Sequence, residues 1–180
     1  MTGIVTLEQC ASTQDEVRTR LATAEAGDVR VVRARSQVAG RGRQGRTWHD
    51  APGGEALLLS IGRRGPMPVA VLDDLARLVA MALLESLDAD GAIAWKAPND
   101  LVAAADGAKV AGVLVDARTT GSSVDEVIVG IGCNVTGDAF VTPDGREATS
   151  ATNCTRASLD VERITARVVE RVVALLRRAT

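Results

Sequence analysis

The order of strand and helix patterns in the C-terminal half is the strongest constraint on the fold of this chain. Three runs rich in Val, Ile and Ala follow one another, at residues 101–105, 109–117 and 124–133, and no helical pattern separates them. Amphipathic helical patterns enclose this region, at residues 68–88 and 159–178. Successive strands without intervening helices pair as antiparallel hairpins. The sequence therefore predicts an α+β fold, with a mixed, largely antiparallel sheet packed against helices.

Shorter patterns predict the remaining elements. A helix is expected to begin at Ser12 or Thr13, each a possible N-cap, and to end at Gly27-Asp28. The Asp106-Gly107 dipeptide predicts a two-residue hairpin turn. The polar residues 136–158 are expected to form a long loop, and a loop of this length is usually functional or mobile. Further strands are expected at residues 4–9, 29–36, 56–61 and 93–97.

Composition and charge exclude several classes of protein. The chain has 180 residues, 46% of them apolar, which predicts a single globular domain over residues 1–180. The formal net charge of −2 and the low aromatic content, 2%, argue against a nucleic-acid-binding protein. The three cysteines lack metal-ligand spacing, and the sequence contains neither a secretory signal pattern nor a membrane-spanning run. We therefore expect a cytoplasmic protein with reduced thiols, no membrane partner and no metal site of its own.

A loop rich in glycine and arginine is the clearest chemical motif. The segment Gly40–Arg46 contains three glycines and three arginines, and Trp48 follows it closely. Glycine lets a ligand approach the backbone amides, and the planar arginine fork matches carboxylate and phosphate oxygens. The motif predicts a loop that wraps a compact anion. A solvated loop with incidental charge is the alternative.

A lysine in an apolar segment is a second candidate. Lys96 lies in a strand-like run that ends at Pro98, where the missing amide hydrogen stops strand pairing. Such a lysine either protects an edge strand from aggregation or reaches into a cleft as a functional cation. His49 is the single histidine, and we interpret it as a bystander and not as a general base.

Taken together, these segments resemble the catalytic domain of biotin–protein ligases. The resemblance runs from about Thr6 to Val135 and is carried by motifs that occur in the same order. No single motif is specific, whereas their combination at these distances is. The motifs are Ser12-Thr13-Gln14, Gln37 with Gly40–Arg46 and Trp48, Lys96-Ala97-Pro98-Asn99-Asp100, Lys109–Val115 and Gly130–Val135.

The resemblance implies a two-step ligation that uses ATP, with Mg²⁺ on the triphosphate. The biotin carboxylate attacks the α-phosphate of ATP, which gives biotinyl-5′-adenylate and pyrophosphate. A lysine of a biotin carboxyl carrier protein then attacks the mixed anhydride. Such chemistry needs positioned cations and no protein nucleophile. A lipoate- or octanoate-transferring relative, and a non-catalytic protein that binds biotin or a nucleotide, are the alternatives.

The resemblance also assigns roles to residues. Arg41, Arg43 and Lys96 are expected to be catalytic, with Lys96 on the carboxyl or acyl-phosphate oxygens. No role is assigned to Lys109. The expected biotin-binding residues are Ser12, Thr13, Gln14, Gln37, Arg41, Gly42, Arg43, Lys96 and Gly112. The expected nucleotide-binding residues are Arg43, Arg46, Trp48, Asn99 and Asn134.

The chain departs from the family pattern at several points. Ala97 follows the motif lysine where tryptophan is usual, Trp95 precedes it, and Gln14 stands where asparagine is usual. The small C-terminal β-barrel and the N-terminal helix-turn-helix of some members are expected to be missing. Because residues 109–117 and 124–133 are rich in Val and Ile, we expect an uncovered edge or face there and a homodimer in solution.

Overall fold

The computed structural model describes residues 3–179 and contains one mixed sheet with helices on both faces. The strands are β1 Ile4–Cys10, β2 Val29–Gln37, β3 Ala56–Pro68, β4 Ile93–Lys96, β5 Asp100–Ala103, β6 Lys109–Thr120, β7 Ser123–Asn134, β8 Phe140–Val141 and β9 Glu147–Ala148. The α-helices are α1 Thr13–Leu21, α2 Leu72–Leu87, α3 Ala151–Thr155 and α4 Val161–Arg178. Short 3₁₀ turns lie at Arg43–Gly45 and Val69–Val71.

The sheet order is β1-β2-β3-β7-β6-β5-β4, and the pairing is antiparallel except between β1 and β2. The short β9 adds to β6 in parallel through Lys109 and Ala148. The predicted fold class, a largely antiparallel mixed sheet packed against helices, is confirmed. Within residues 3–179, no helix is both long and apolar enough to cross a membrane.

The two faces of the sheet have different roles because side chains alternate along each strand. On β3, Leu57, Leu59 and Ile61 join the main apolar core, to which α2 and α4 also contribute. Ser60 faces the other way, toward α1, where Thr13 hydrogen-bonds to it. The α1 face is therefore partly polar, and it is the face on which a site can form.

Arginines from the sheet bind both ends of α4. Near its N-terminus, the buried Arg33 of β2 pairs with Glu162. At its C-terminus, the buried Arg63 of β3 donates to the carbonyl oxygens of Leu176 and Ala179, at 2.7 and 2.6 Å. The Asp160 carboxylate caps the helix by accepting from the amides of Glu162 and Arg163. These bonds hold α4 across the back of the sheet, away from α1.

The predicted long loop at residues 136–158 is wrong. This segment contains the β8–β9 hairpin and the short helix α3, whose N-cap Ser150 accepts from the Asn153 amide. Two-residue strands are too short to show a hydrophobic period, so no pattern in the sequence revealed them. The predicted Asp106-Gly107 two-residue turn is also wrong, because five residues, 104–108, connect β5 to β6.

Two predicted boundaries also need correction. Helix α1 ends at Leu21 and not at Gly27-Asp28, because residues 22–26 are largely exposed and offer no further apolar face. Strand β3 continues to Pro68 and not to Ile61, since it still pairs with β7 beyond a register shift between Arg64 and Met67. The premise that β6 and β7 form an uncovered edge is wrong, because both are interior strands of the sheet.

Candidate active site

Two adjoining cavities open on the α1 face of the sheet, with volumes of about 180 and 50 Å³. Loop residues after β2 form one wall of both cavities, and the start of β6 forms another. The residues that line both are Gly42, Arg43, Trp48, Asn99 and Lys109. Groups bound in the two cavities would therefore meet at this boundary.

Polar side chains from α1, β2 and β3 surround the smaller cavity. The Gln37 Oε1 atom accepts from the Thr13 amide at 2.7 Å and lies 3.2 Å from the Thr13 hydroxyl. That hydroxyl is 2.8 Å from the Ser60 hydroxyl. The Gln14 Nε2 atom donates to the Leu114 carbonyl at 3.3 Å. Because these groups hold one another, the cavity presents fixed donors and acceptors to a small polar ligand.

Ser12 occupies the N-cap position of α1, but its side chain makes no capping hydrogen bond. The residue is 3% exposed and lines the smaller cavity. Capping was one explanation of the Ser12-Thr13 pair in the sequence. The structure instead directs Thr13 into the Gln37–Ser60 network and leaves the helix start open toward the cavity.

Glycines on β7 allow the cavity wall to come close to the sheet. A Cβ atom at Gly132 would lie 2.7 Å from a ring carbon of Trp48, and one at Gly130 would lie 3.0 Å from Gln14 Nε2. Trp48 therefore packs directly on the backbone of β7. This packing places the indole between the two cavities, which it lines on both sides.

The glycine–arginine loop is closed by its own backbone. The Trp48 amide donates to Gly40 O at 3.0 Å, and the Gly42 amide donates to Arg46 O at 2.7 Å. Gln44 and Gly45 adopt positive φ angles, 58° and 74°, at the tip of the loop. The loop therefore has a defined turn even without a ligand.

Two arginines of this loop are held by side chains from other elements. Arg41 pairs with Asp15 of α1 at 2.7 Å. Arg43 donates to the Asn99 Oδ1 atom at 3.0 Å, and Asn99 in turn donates to the Val113 carbonyl. These bonds fix Arg43 at the boundary between the cavities.

Lys109 reaches the same boundary because of a β-bulge. Strand β5 pairs Leu101 with Ala111 and then Val102 with Lys109, so Val110 is an extra residue on β6. Val110 and Ala111 both face the apolar core, and Lys109 turns to the cavity side. Its Nζ atom lies 2.8 Å from the Asp100 carboxylate and 5.7 Å from the centre of the Trp48 ring.

The larger cavity is rich in cationic side chains. Arg43, Arg46 and Lys109 line it, and Arg146 joins them from the turn between β8 and β9. Asp100 and Glu147 are the acidic residues of the same lining. A cavity with this charge pattern favours a polyanionic ligand such as a nucleotide phosphate chain.

Comparisons with known proteins identify the family of this chain. The sequence model of the biotin/lipoate A/B protein ligase family matches residues 7–134, well over half of the chain. The chain belongs to this family. The crystal structure of biotin protein ligase from Leishmania major in complex with biotinyl-5-AMP superimposes with a TM-score of 0.75 at 30% sequence identity. That match covers 99% of this chain and 76% of the Leishmania chain.

Two bacterial relatives bear the name biotin–[acetyl-CoA-carboxylase] ligase. The protein from Paracoccus denitrificans is 39% identical over 112 residues, which cover 59% of this chain and 44% of that protein. The protein from Mycobacterium tuberculosis is 33% identical over 175 residues, which cover 92% of this chain and 61% of that protein. The chain therefore spans less than two thirds of the length of either relative.

The structure brings most of the predicted site residues together. With the exception of Lys96, every residue predicted to bind biotin lines the smaller cavity. Every residue predicted to bind the nucleotide lines the larger cavity. The two groups that the resemblance implied, which share Arg43, thus correspond to two adjoining spaces in the fold.

Lys96 is the predicted site residue that does not lie at either cavity. It is exposed and lines neither cavity. Lys96 pairs with Asp100 across β4 and β5, so both point to the same face, but β4 is the outermost strand of the sheet. Asp100 therefore reaches the cavity, while Lys96 lies one strand farther away.

Asn134 lines the larger cavity, but the oxygen and the nitrogen of its side-chain amide both already form hydrogen bonds within the protein. The Oδ1 atom accepts from the Ala51 amide at 3.1 Å, and the Nδ2 atom donates to the Thr149 carbonyl at 3.4 Å. With 1% exposure, Asn134 joins the segment after the arginine loop to the segment after β9. Its side chain is thus placed to shape the cavity wall.

His49 lies in the wall of the larger cavity, next to a paired carboxylate. Asp50 accepts from the Trp48 indole nitrogen at 2.6 Å. Desolvation raises the pKa of the Asp50 carboxyl, while the Trp48 hydrogen bond and the nearby His49 oppose that shift. Ser60, Asp100, Lys109 and Arg146 also line the cavities, although the sequence assigned them no role.

Proposed function

We propose that this protein activates biotin with ATP and transfers it to a lysine of a biotin carboxyl carrier protein. The observation that carries the proposal is the meeting of the two cavities at Arg43, Asn99, Lys109 and Trp48. A small polar ligand in one space and a polyanion in the other would bring their reacting ends to this boundary. The proteins that resemble this chain, including the biotinyl-5-AMP complex, support biotin as the acid.

In the first step, a carboxylate oxygen of biotin attacks the α-phosphorus of ATP. The new C–O–P mixed anhydride forms as the bond to pyrophosphate breaks, and negative charge grows on the phosphorus oxygens. Arg43 and Lys109, which line both cavities, would stabilise that charge. Arg41 and Gly42 close the loop over the smaller cavity. The protein supplies positioning and cations, and the substrate supplies the nucleophile.

Mg²⁺ would arrive with the triphosphate, as part of the nucleotide substrate. Mg²⁺ usually keeps several waters and binds through substrate phosphates with one or two carboxylates. Asp100 and Glu147, the carboxylates that line the larger cavity, suit that limited role. Within residues 3–179, no group of three or more His, Cys, Asp or Glu side chains is placed to hold a metal ion.

In the second step, the Nζ atom of the carrier lysine attacks the carbonyl carbon of the anhydride. An amide bond forms, the attacking amine gives up a proton to solvent water, and AMP leaves with the electrons of the C–O bond. The same cations would hold the leaving phosphate. The carrier lysine would enter on the exposed side of the arginine loop, where Arg41 and Arg46 are solvent-accessible.

Acid-dependent exchange between ATP and labelled pyrophosphate tests this proposal. Biotin, lipoate and octanoate are offered separately to the purified chain. We expect exchange with biotin alone, followed by transfer of labelled biotin to a carrier domain. Exchange with lipoate or octanoate and not with biotin would assign another acid. Exchange with none of them, despite binding of biotin, would leave a non-catalytic binding protein.

A further inference from the structure

The turn between β8 and β9 brings a fourth cation to the larger cavity. Arg146 precedes β9 directly and lines the cavity with Arg43, Arg46 and Lys109. The segment is absent from the pattern that carries the family resemblance, which ends near Val135. Nothing in the motifs therefore assigns a role to this arginine.

The turn is built tightly around that side chain. The Thr142 hydroxyl donates to Asp144 at 2.5 Å and accepts from the Arg146 amide at 3.0 Å. The Thr142 amide donates to Arg146 O at 2.8 Å, and the Gly145 amide donates to Thr142 O at 2.8 Å. The backbone around Arg146 is therefore fixed before any ligand binds.

Asp144 holds one end of the guanidinium group. Its Oδ2 atom lies 2.8 Å from Arg146 Nη2, and the hydrogen bonds from Thr142 and Arg146 lower the Asp144 pKa to about 2. The carboxylate thus stays ionised at neutral pH. A guanidinium has five N–H donors, so one ion pair leaves others for a ligand. Among the described residues, the buried Nε atom of Arg146 has no hydrogen-bond partner.

The turn is also attached to the strand that carries Lys109. Ala148 of β9 pairs with Lys109, and the Thr149 amide donates to Lys109 O at 2.9 Å. Arg146 lies two residues before Ala148 along the chain. The two cations therefore belong to neighbouring backbone segments on the same side of the cavity, opposite the arginine loop.

We propose that Arg146 binds the phosphate chain of the nucleotide and so selects a nucleoside triphosphate over an uncharged nucleoside. This inference rests on the proposed function, because it assigns a residue to the same nucleotide site. Three observations support the proposal: the hydrogen-bonded turn around Arg146, the position of Arg146 in the cavity lining, and the guanidinium donors that Asp144 does not use. Glu147, the residue next to Arg146, also lines the cavity and carries a negative charge. The cationic side chains of the lining still outnumber the acidic ones.

Calorimetric titration with ATP and with adenosine tests the proposal on the full chain. Arg146→Gln keeps the length and polarity of the side chain and removes its charge. We expect ATP to bind about tenfold more weakly, the range of one lost charge-assisted hydrogen bond. Adenosine affinity should stay within about twofold, because it carries no phosphate. Arg146→Lys should recover part of the ATP affinity.

Arg118→Gln is the matched control, because Arg118 is exposed on β6 and lines neither cavity. Equal loss of ATP and adenosine affinity in Arg146→Gln would overturn the proposal, since the side chain would then only hold the turn. Unchanged ATP affinity in that folded variant would overturn it as well, and so would wild-type protein that binds ATP no better than adenosine. Failure of the proposed function has a different signature, the absence of acid-dependent pyrophosphate exchange in the wild-type chain.

Discussion

At the scale of single residues, the Lys109 ammonium group lies between an anion and an aromatic ring. The Asp100 carboxylate is 2.8 Å away, and the centre of the Trp48 ring is 5.7 Å away. Both neighbours attract the ammonium group and hold it in place. An incoming carboxylate or phosphate would therefore meet a positioned cation and compete with Asp100 for it.

Replacing Lys109 should slow the first chemical step. In Lys109→Ala we expect pyrophosphate exchange with biotin to fall by roughly 10²–10³, the usual cost of one charge-stabilising donor. Lys96→Ala is the matched control, because it removes the same charge from the exposed strand β4. We expect it to change the rate by less than about threefold, the size of a typical exposed charge effect. The reverse outcome, with loss only in Lys96→Ala, would return the catalytic role to Lys96.

A Cβ atom at Gly132 should damage both cavities together. It would lie 2.7 Å from the Trp48 ring, so Gly132→Ala must move the indole off β7. We expect weaker binding of both biotin and ATP, by about tenfold each, because Trp48 lines both spaces. Titration calorimetry measures this, with Gly3→Ala as the control, since a Cβ there meets nothing within 4 Å. Loss of affinity for one ligand alone would contradict a shared wall.

The role of Lys109 could not be found from alternation in the sequence. A regular strand would place Lys109 on the same face as Ala111 and Val113, toward the apolar core. The bulge at Val110 reverses that direction, and no turn residue or proline marks it in the sequence. Arg41 and Arg43, by contrast, were predictable because glycine-flanked arginines suit anions wherever the loop lies.

At the scale of elements, the arginine loop combines a closed backbone with exposed tips. Its two arms are joined by Trp48–Gly40 and Gly42–Arg46 hydrogen bonds, but Arg41, Arg43 and Arg46 remain exposed. Asp15 already pairs with Arg41, whereas Arg43 and Arg46 are like charges in one short loop and repel each other until an anion arrives. We therefore predict that the loop at residues 37–48 is mobile without ligand and orders around the adenylate.

Ligands should protect this loop from trypsin, which cleaves after arginine. We expect cleavage at Arg41, Arg43 and Arg46 to fall severalfold when biotin and ATP are present together, because the ordered loop would no longer fit the protease. Cleavage after Arg178, at the end of α4, serves as the internal control and should not change. Equal cleavage of the loop with and without both ligands would refute ordering on binding.

Helix α4 depends on ionised Glu162. Arg33 lowers the pKa of Glu162 below its ordinary value of 4.5 by hydrogen bonding and charge. A carboxyl whose pKa is lower in the folded state stabilises the fold above its unfolded pKa, and this stabilisation is lost as the pH falls through the folded pKa. Glu162→Gln should lower the free energy of unfolding at pH 7 by about 1 kcal/mol. This is the upper end for an exposed ion pair, and we expect it because the Glu162 side chain is exposed while its partner Arg33 is buried.

Urea denaturation at pH 7 and at a pH below the folded-state pKa of Glu162 measures this effect. The difference between wild type and Glu162→Gln should shrink at the lower pH, where the wild-type carboxyl is also neutral. Glu170→Gln is the matched control, because Glu170 is an exposed acid on the same helix. A difference that stays constant with pH would rule out the Arg33 pair as its cause.

The long elements were predictable and the short ones were not. Val129, Ile131 and Cys133 repeat with period two, and Ile164, Val168 and Val172 repeat with a helical period, so β7 and α4 could be predicted. The β8–β9 hairpin is defined by one pair of residues with β6 and by side-chain bonds around Thr142. Such tertiary contacts leave no periodic signal, which is why the Arg146 part of the site was missed.

At the scale of the whole molecule, the two outer strands of the sheet are β1 and β4. Among the described residues, β1 pairs with β2 alone, and Ile4 and Val5 are each 39% exposed. β1 carries a single charged residue, Glu8, which pairs with Arg35 of β2. An apolar edge with little charge is prone to pairing with another strand. For the predicted homodimer, β1 is therefore a better interface than β6 and β7, which lie inside the sheet.

We predict that two chains associate through their β1 edges, because two-fold pairing of like surfaces closes both edges at once. Light scattering at micromolar concentration should give about twice the 18.7 kDa chain mass. Val5→Lys should return the mass to one chain, since a charged lysine on an exposed edge strand disfavours pairing with another strand. Val141→Lys is the matched control, because Val141 is 65% exposed on β8, far from the outer edge of β1 in the strand order. A wild-type mass near one chain that does not rise with concentration would end the dimer hypothesis, and a dimer that survives Val5→Lys would place the interface elsewhere.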